Sequence, residues 1–183
     1  MPDFASGIKM AKVNDVSVTA GTQLKYKIEF ARDVPDGDLA KAMIDSDVFL
    51  GLSKGGIVSK KMIASMAKKP LIFALANPDP EILPSEINEV RDDAIIATGR
   101  SDFPNQINNV LAFPGIFRGA FDAGACDITE GMKIAAASAI AAAVPSDDLS
   151  PELIIPTAFD RSVVPAVSAA VAMAAQNDGV TRN

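Results

Sequence analysis

The sequence predicts an α/β fold: a parallel sheet flanked by helices, followed by a helical C-terminal segment. Three observations carry that reading. Short apolar runs at Val48-Phe49-Leu50-Gly51-Leu52, at 71–76 and at 94–97 read as buried strands. Helical patterns separate them, and strands alternating with helices imply parallel pairing. After Gly99 the strand patterns stop and helical ones take over.

Residues 1–37 form a poorly readable N-terminal segment, where Val13 to Thr19 alternates loosely and Gln23 to Ala31 mixes charged and apolar residues. Asp36-Gly37-Asp38 is a turn that caps a short helix, Leu39 to Asp45. Ser59 caps a helix from Lys60 to Lys68 with Met62, Ile63 and Met66 as its apolar stripe, and Pro70 stops it. Pro84-Ser85-Glu86 opens a short helix towards Arg91. Asn105 to Ala112 and Pro114 to Ala123 read as two helices broken at Phe113-Pro114. Asp127 with Glu130 opens a helix from Ile128 to Val144 that is apolar nearly all round and is expected to be buried. Residues 145–156 are an extended acidic connection, and Asp160 opens a last helix, 161–176, ended by Asn177-Asp178-Gly179. The organisation expected is an α/β core over 38–144 and a C-terminal extension with its helix over 145–183.

Composition narrows the chemistry. A chain of 183 residues with 49% hydrophobic content suits one domain, or one domain and an extension. A net charge of −6 argues against a nucleic-acid surface. Cys126 is the lone cysteine, so no internal disulfide forms, in keeping with a reducing compartment. The chain has no histidine, which excludes Ser-His-Asp and Cys-His catalysis and His-ligated zinc within it. Carboxylates are then the metal ligands available, and they select Mg²⁺ or Mn²⁺. The most apolar run, 134–144, is well short of the ~20 residues a membrane span needs. No signal-peptide pattern opens the chain, so the cytoplasm is the expected location and no membrane is expected as a partner.

The chemistry-bearing residues cluster after the strands, where parallel sheets place their ligands. Gly51-Leu52-Ser53-Lys54-Gly55-Gly56 follows the first strand but lacks the Lys-Ser/Thr of a Walker A loop and the G-x-G-x-x-G spacing. It reads equally as a loop approaching a dinucleotide and as a flexible turn. Asn77 follows the second strand, and Pro78 biases it towards extended geometry. Its amide can bridge a carboxylate or carboxamide and a hydroxyl, while an Asx turn alone accounts for it and is the favoured reading on spacing. Asn105, Asn108 and Asn109 fall at i, i+3 and i+4, which on a helix would share one face, read as a site ahead of the alternative of caps on a solvated face. Asn77, Asn108 and Asn109 can thus converge on one small polar molecule. Arg100 and Ser101 are an anion site or a cap with a surface charge. Asp79, Glu81, Asp92, Asp93, Asp147 and Asp148 are expected on solvated faces, without metal-loop spacing. Gly115 and Gly119 point to close helix packing, and Cys126 to a structural thiol.

The segment from Asp47 to Ala123 resembles the cofactor-domain portion of malic enzymes, especially the bacterial type. Four stretches carry the resemblance: Asp47 to Ser53, Ile72 to Glu81, Ala97 to Val110, and Phe113 to Ala120. Ile154-Ile155-Pro156, Phe159-Asp160 and the last helix are similar to that family's C-terminal segment, so the likeness runs over about 38–180. It implies a partial Rossmann-like sheet, with 1–37 a remnant of the cofactor domain. It also implies oxidation of malate with NAD or NADP, then decarboxylation to pyruvate and CO₂ under Mg²⁺ or Mn²⁺. By the resemblance, Asn77 and Asn109 bind substrate, and Asn77, Asn108 and Ser53 lie against the cofactor. The family's proton-transfer tyrosine and lysine, its metal ligands and its glycine-rich fingerprint match nothing here, and Tyr26 is the only tyrosine. No catalytic residue and no metal ligand is therefore assigned to this chain, which is expected to be inactive alone. Its expected partners are malate or pyruvate, an upstream half of the enzyme, and further copies of itself. The alternative is a non-catalytic nucleotide-binding or assembly module derived from a Rossmann-type dehydrogenase.

Overall fold

A three-stranded parallel sheet, ordered β1-β2-β3, is built from β1 (Val48–Gly51), β2 (Leu71–Ala74) and β3 (Ile95–Thr98). The computed structural model describes residues 37–182. The reading of Val13 to Thr19 and Gln23 to Ala31 lies outside them. Val48, Leu71 and Ile95 stand in one row of the register, and Phe49, Ile72 and Ile96 in the next.

Three short helices, α1 (Leu39–Met43), α2 (Lys60–Ala64) and α3 (Pro84–Asn88), lie between or before the strands. The Asp38 side chain caps α1 by accepting from the Lys41 N–H, and Ser59 does the same for α2 at Met62. Met43, Ile63, Met66 and Ile87 pack with Phe49, Ile72 and Ala74 in one apolar core. Residues alternate sides along a strand, so only one face of the sheet is covered by that core. On the other face Val48 and Leu50 are 54% and 56% exposed. β1 is therefore buried on one face, not the fully buried strand its apolar run predicted, because no described element packs over its second face.

α2 is shorter than the sequence predicts. Its last turn is diverted at Ser65, whose hydroxyl donates to the Met62 carbonyl while its own carbonyl accepts from Asp45. Arg91 then closes the helix end. Its guanidinium donates to the carbonyls of Ile63 (3.0 Å) and Ala67 (2.7 Å) and pairs with Asp93 at 2.7 Å. Asp93 also accepts from the Lys69 N–H. The Arg91 hydrogen bond, then that backbone bond, holds the Asp93 carboxyl far below the usual carboxylate range. Asp93 is thus a structural ion-pair partner, not the plain solvated face expected.

The second layer is helical: α4 (Phe113–Asp122), α5 (Glu130–Ala142) and α6 (Val163–Asn177), with α6 packed against both others. Val163, Val167, Val171 and Ala175 of α6, one face at helical spacing, join Ala120, Met132, Ala136 and Ile140 in a second core. Gly115 and Gly119 permit this contact: a Cβ on Gly119 would stand 2.4 Å from the Ser168 carbonyl oxygen, and one on Gly115 2.6 Å from Val167. The close packing expected of that glycine pair is present. α5 differs from expectation in two ways. It begins at Glu130, because the Thr129 side chain, not Asp127, accepts from the Met132 N–H. It also buries one stripe only, with Ile134 65% exposed. Its small alanines let α6 approach on that stripe, and nothing described covers the opposite side.

Candidate functional site

The carboxyl ends of the three strands open on one edge of the sheet, and two loops and a turn are knitted together there. Leu75 donates to the Gly51 carbonyl, Gly56 to Pro80 and Val58 to Glu81, so the loop leaving β1 lies along the turn leaving β2. The Asn77–Pro78 peptide within that turn is cis. Beside it Glu81 is fully buried, and its carboxylate accepts from the Ser53 N–H at 3.0 Å and from the Ala76 N–H at 3.1 Å. Glu81 was expected on a solvated face; the Asn-Pro-Asp-Pro turn instead folds it inward, where two backbone donors satisfy it. Gly51 makes room, since a Cβ there would meet the Glu81 carboxylate at 2.4–2.6 Å. Gly55 packs the same way against Asp79. Close packing against the turn, not flexibility, accounts for Gly51 and Gly55.

Past β3, Asn108 donates to the Gly99 carbonyl at 3.1 Å and accepts from the Val110 N–H, capping a 3-10 turn, Asn109–Leu111. The predicted helix from Asn105 to Ala112 is absent. Asn105 has φ +55 and Asn108 is extended, so the three asparagines do not share a helix face. Asparagine tolerates the left-handed region because its side chain bonds locally. Asn105 is buried and works structurally: its amide donates to the carbonyls of Ile96 (2.9 Å) and Pro151 (2.7 Å) and accepts from Ile154. It closes the outer edge of β3 and ties the 151–154 segment to it.

Ser53, Asn77, Asn108 and Asn109 therefore all stand beyond strand ends on one side of the sheet. All four are exposed. Asn77 and Asn109 have no side-chain hydrogen bond among the described residues.

Charge at this edge is compensated. Arg100 grips Asp102 through two hydrogen bonds of 2.7 and 2.8 Å, lies 3.6 Å from Asp79 and covers the Phe103 ring. Its guanidinium lowers the Asp102 carboxyl below the ordinary range. Arg100 is thus occupied by carboxylates, which favours its surface-charge reading over an anion site. Among the described residues no three or more His, Cys, Asp or Glu groups gather as a metal site. Among the described residues the donor set does not fit the metal that the family resemblance implies. Cys126 is exposed, its thiol donating to the Val180 carbonyl. No helix of the described residues is long and apolar enough to cross a membrane.

A parallel sheet flanked by helices, with a polar cluster beyond its carboxyl ends, defines a Rossmann-like α/β domain. The family model for the malic enzyme NAD-binding domain matches residues 24–178. The chain belongs to the malic enzyme family. It is 55% identical over 151 residues to the bifunctional malic/malolactic enzyme of Bacillus subtilis, covering 82% of this chain and 37% of that protein. It is 48% identical to the NADP-dependent malic enzyme of Rhizobium meliloti, covering 86% of this chain and 23% of that one. Among solved structures, the malic enzyme of Pyrococcus horikoshii superposes with a TM-score of 0.73 at 45% identity, over 80% of this chain and 34% of that chain. The Entamoeba histolytica enzyme gives 0.76 at 44% identity, over 80% and 30%. The chain thus spans about a third or less of the length of these relatives.

Proposed function

We propose that this chain supplies the nicotinamide and malate contacts of a malic enzyme active site whose catalytic and metal-binding groups lie in an upstream half. The observation that carries the reading is the pair of exposed amides, Asn77 and Asn109, without a side-chain partner among the described residues and beyond the ends of a parallel sheet in a member of this family. An amide both donates and accepts, so it pairs with the carboxamide of nicotinamide or with a carboxylate and hydroxyl of malate. Asn108 and Ser53 flank them on the cofactor side. Asn108 already binds the Gly99 carbonyl and so offers less to a ligand than Asn109 does.

In this reading the chain alone does not turn over. The face of β1 that no described element covers, with Val48 and Leu50, is where the upstream half docks; short of that partner, further copies of the chain use it. Two measurements test the proposal. Purified chain with malate, Mg²⁺ and either NAD⁺ or NADP⁺ should form no NAD(P)H, and a malate-dependent rate would refute inactivity. Reduced nicotinamide mononucleotide should shift the side-chain NH₂ resonances of Asn77 and Asn109, and Asn77→Ala should weaken binding at least tenfold. Saturable binding that ignores both substitutions, Asn77→Ala and Asn109→Ala, would favour the assembly-module alternative with an unrelated nucleotide contact.

A further inference from the structure

We infer that Glu81 is the positioning residue that couples the Ser53 loop to the Asn77 turn, its carboxylate acting as a two-ended strut between them. This deepens the proposed function and rests on it for its role towards nicotinamide. The strut itself rests on geometry alone. Glu81 is fully buried, and each of its oxygens accepts one backbone N–H. One N–H belongs to Ser53, two residues past β1; the other belongs to Ala76, the residue before Asn77. The two loops come from different strands, and a single side chain fixes their separation.

The residue type is dictated by the donors. Two N–H groups facing one side chain need two acceptor atoms, and a carboxylate has them. The amide of glutamine presents an NH₂ in place of one oxygen and so sets a donor against a donor. Aspartate is one methylene shorter and cannot span both loops without moving one. The main chain reinforces the same arrangement: the Glu81 carbonyl accepts from Val58, and Gly51 leaves the carboxylate its space. No cation pairs with Glu81 among the described residues, so the carboxylate is not half of an ion pair. Backbone donors stabilise it in the way an anion is held by a loop nest. Asp79, two residues away on the same turn, is exposed and meets solvent and Arg100 instead.

The test uses the full 183-residue chain. Amide hydrogen exchange is read by NMR for wild type, Glu81→Gln and Asp79→Asn, followed by titration with reduced nicotinamide mononucleotide. Glu81→Gln is expected to speed exchange at Ser53 and Ala76 about 10–100-fold, with Val171 in the helical core unchanged. It is also expected to weaken probe binding at least tenfold. Asp79→Asn should change neither. Unchanged exchange at Ser53 and Ala76 in Glu81→Gln overturns the strut. If Glu81→Gln loses protection everywhere, Gly51→Ala is the second variant, since its methyl displaces the carboxylate without removing it. Faster exchange confined to Ser53 and Ala76 in Gly51→Ala supports the strut, and unchanged or global exchange overturns it. Wild type that shows the exchange pattern but never binds the probe refutes the nicotinamide reading and keeps the strut. Loosened loops with undiminished probe binding overturn the positioning role.

Discussion

Asn105 is the residue on which the join between sheet and C-terminal segment depends. Replacing it with alanine leaves the carbonyls of Ile96 and Pro151 and the N–H of Ile154 without their partner. A buried group left unpaired costs about 1–3 kcal/mol. Pro151 is exposed and Ile96 and Ile154 are half-buried, so water recovers part of that loss. The three together are then worth roughly 3 kcal/mol. Alanine adds a conformational penalty of about 1 kcal/mol, because φ is +55 at this position. Asn105→Ala should therefore lose roughly 4 kcal/mol, a fall of about 10 °C in Tm for a chain of this size. Asn105→Gly keeps the backbone unstrained and should lose about 1 kcal/mol less. Urea unfolding followed by circular dichroism reads both values, with an unchanged slope showing that the loss is one of stability. A loss below about 1 kcal/mol in Asn105→Ala would show that these hydrogen bonds do not hold the segment.

Gly119→Ala should destabilise by about 1–3 kcal/mol through overpacking against α6, read in the same urea assay, and a neutral result would show that α4 and α6 can separate freely. Asp93→Asn should lower Tm at neutral pH and flatten its acid limb. The depressed carboxyl contributes stability above its unfolded pKa of about 4, and that contribution fades as pH falls towards its folded value. A Tm profile unchanged in shape by Asp93→Asn would count against the Arg91 pair. Leu50→Lys, on the uncovered face of β1, should cost under about 0.5 kcal/mol while shifting the chain towards monomer in sedimentation velocity. Stronger self-association of this variant would contradict the docking face.

The fold was legible where local chemistry and tertiary context agree. Ser59 and Asp38 cap the helices their positions announce, and the three apolar runs pair in parallel because helices separate them. The misreadings have physical causes. Asn105, Asn108 and Asn109 have helical spacing, but spacing carries no information about Asn105 adopting φ +55 to reach carbonyls up to 46 residues away. Glu81 sits in a run of turn residues that reads as surface. Its burial depends on Ser53 and Ala76 donors that only the assembled sheet brings together. Its place seven residues past β2 and a Gly51 with no side chain to oppose it were the available signals, and neither points inward without the register. For Arg91, the carbonyls of Ile63 and Ala67 that hold it lie 28 and 24 residues away and are invisible in sequence.

The charge at the strand ends separates the two halves of the proposed ligand. Malate is a dianion, and the chain carries a net −6. Of the described cations at this edge, Arg100 is held by Asp102 and Asp79, and Lys54 stands on the exposed β1 loop. The amides of Asn77 and Asn109 orient a carboxylate but bring no net charge against it. An exposed pair of opposite charges is worth well under ~1 kcal/mol at physiological salt, too little for Lys54 to hold a dicarboxylate. The nicotinamide ring meets no such barrier, because its carboxamide is neutral and complementary to an amide. Reduced nicotinamide riboside, which carries no phosphate and no net charge, should therefore shift Asn77 and Asn109 in the chain alone, while malate at about 1 mM should not, a concentration at which binding needs only about −4 kcal/mol. Malate shifts at Asn77 and Asn109 under those conditions would mean that the dicarboxylate finds its positive charge within this chain, and the upstream half would not be needed to supply it.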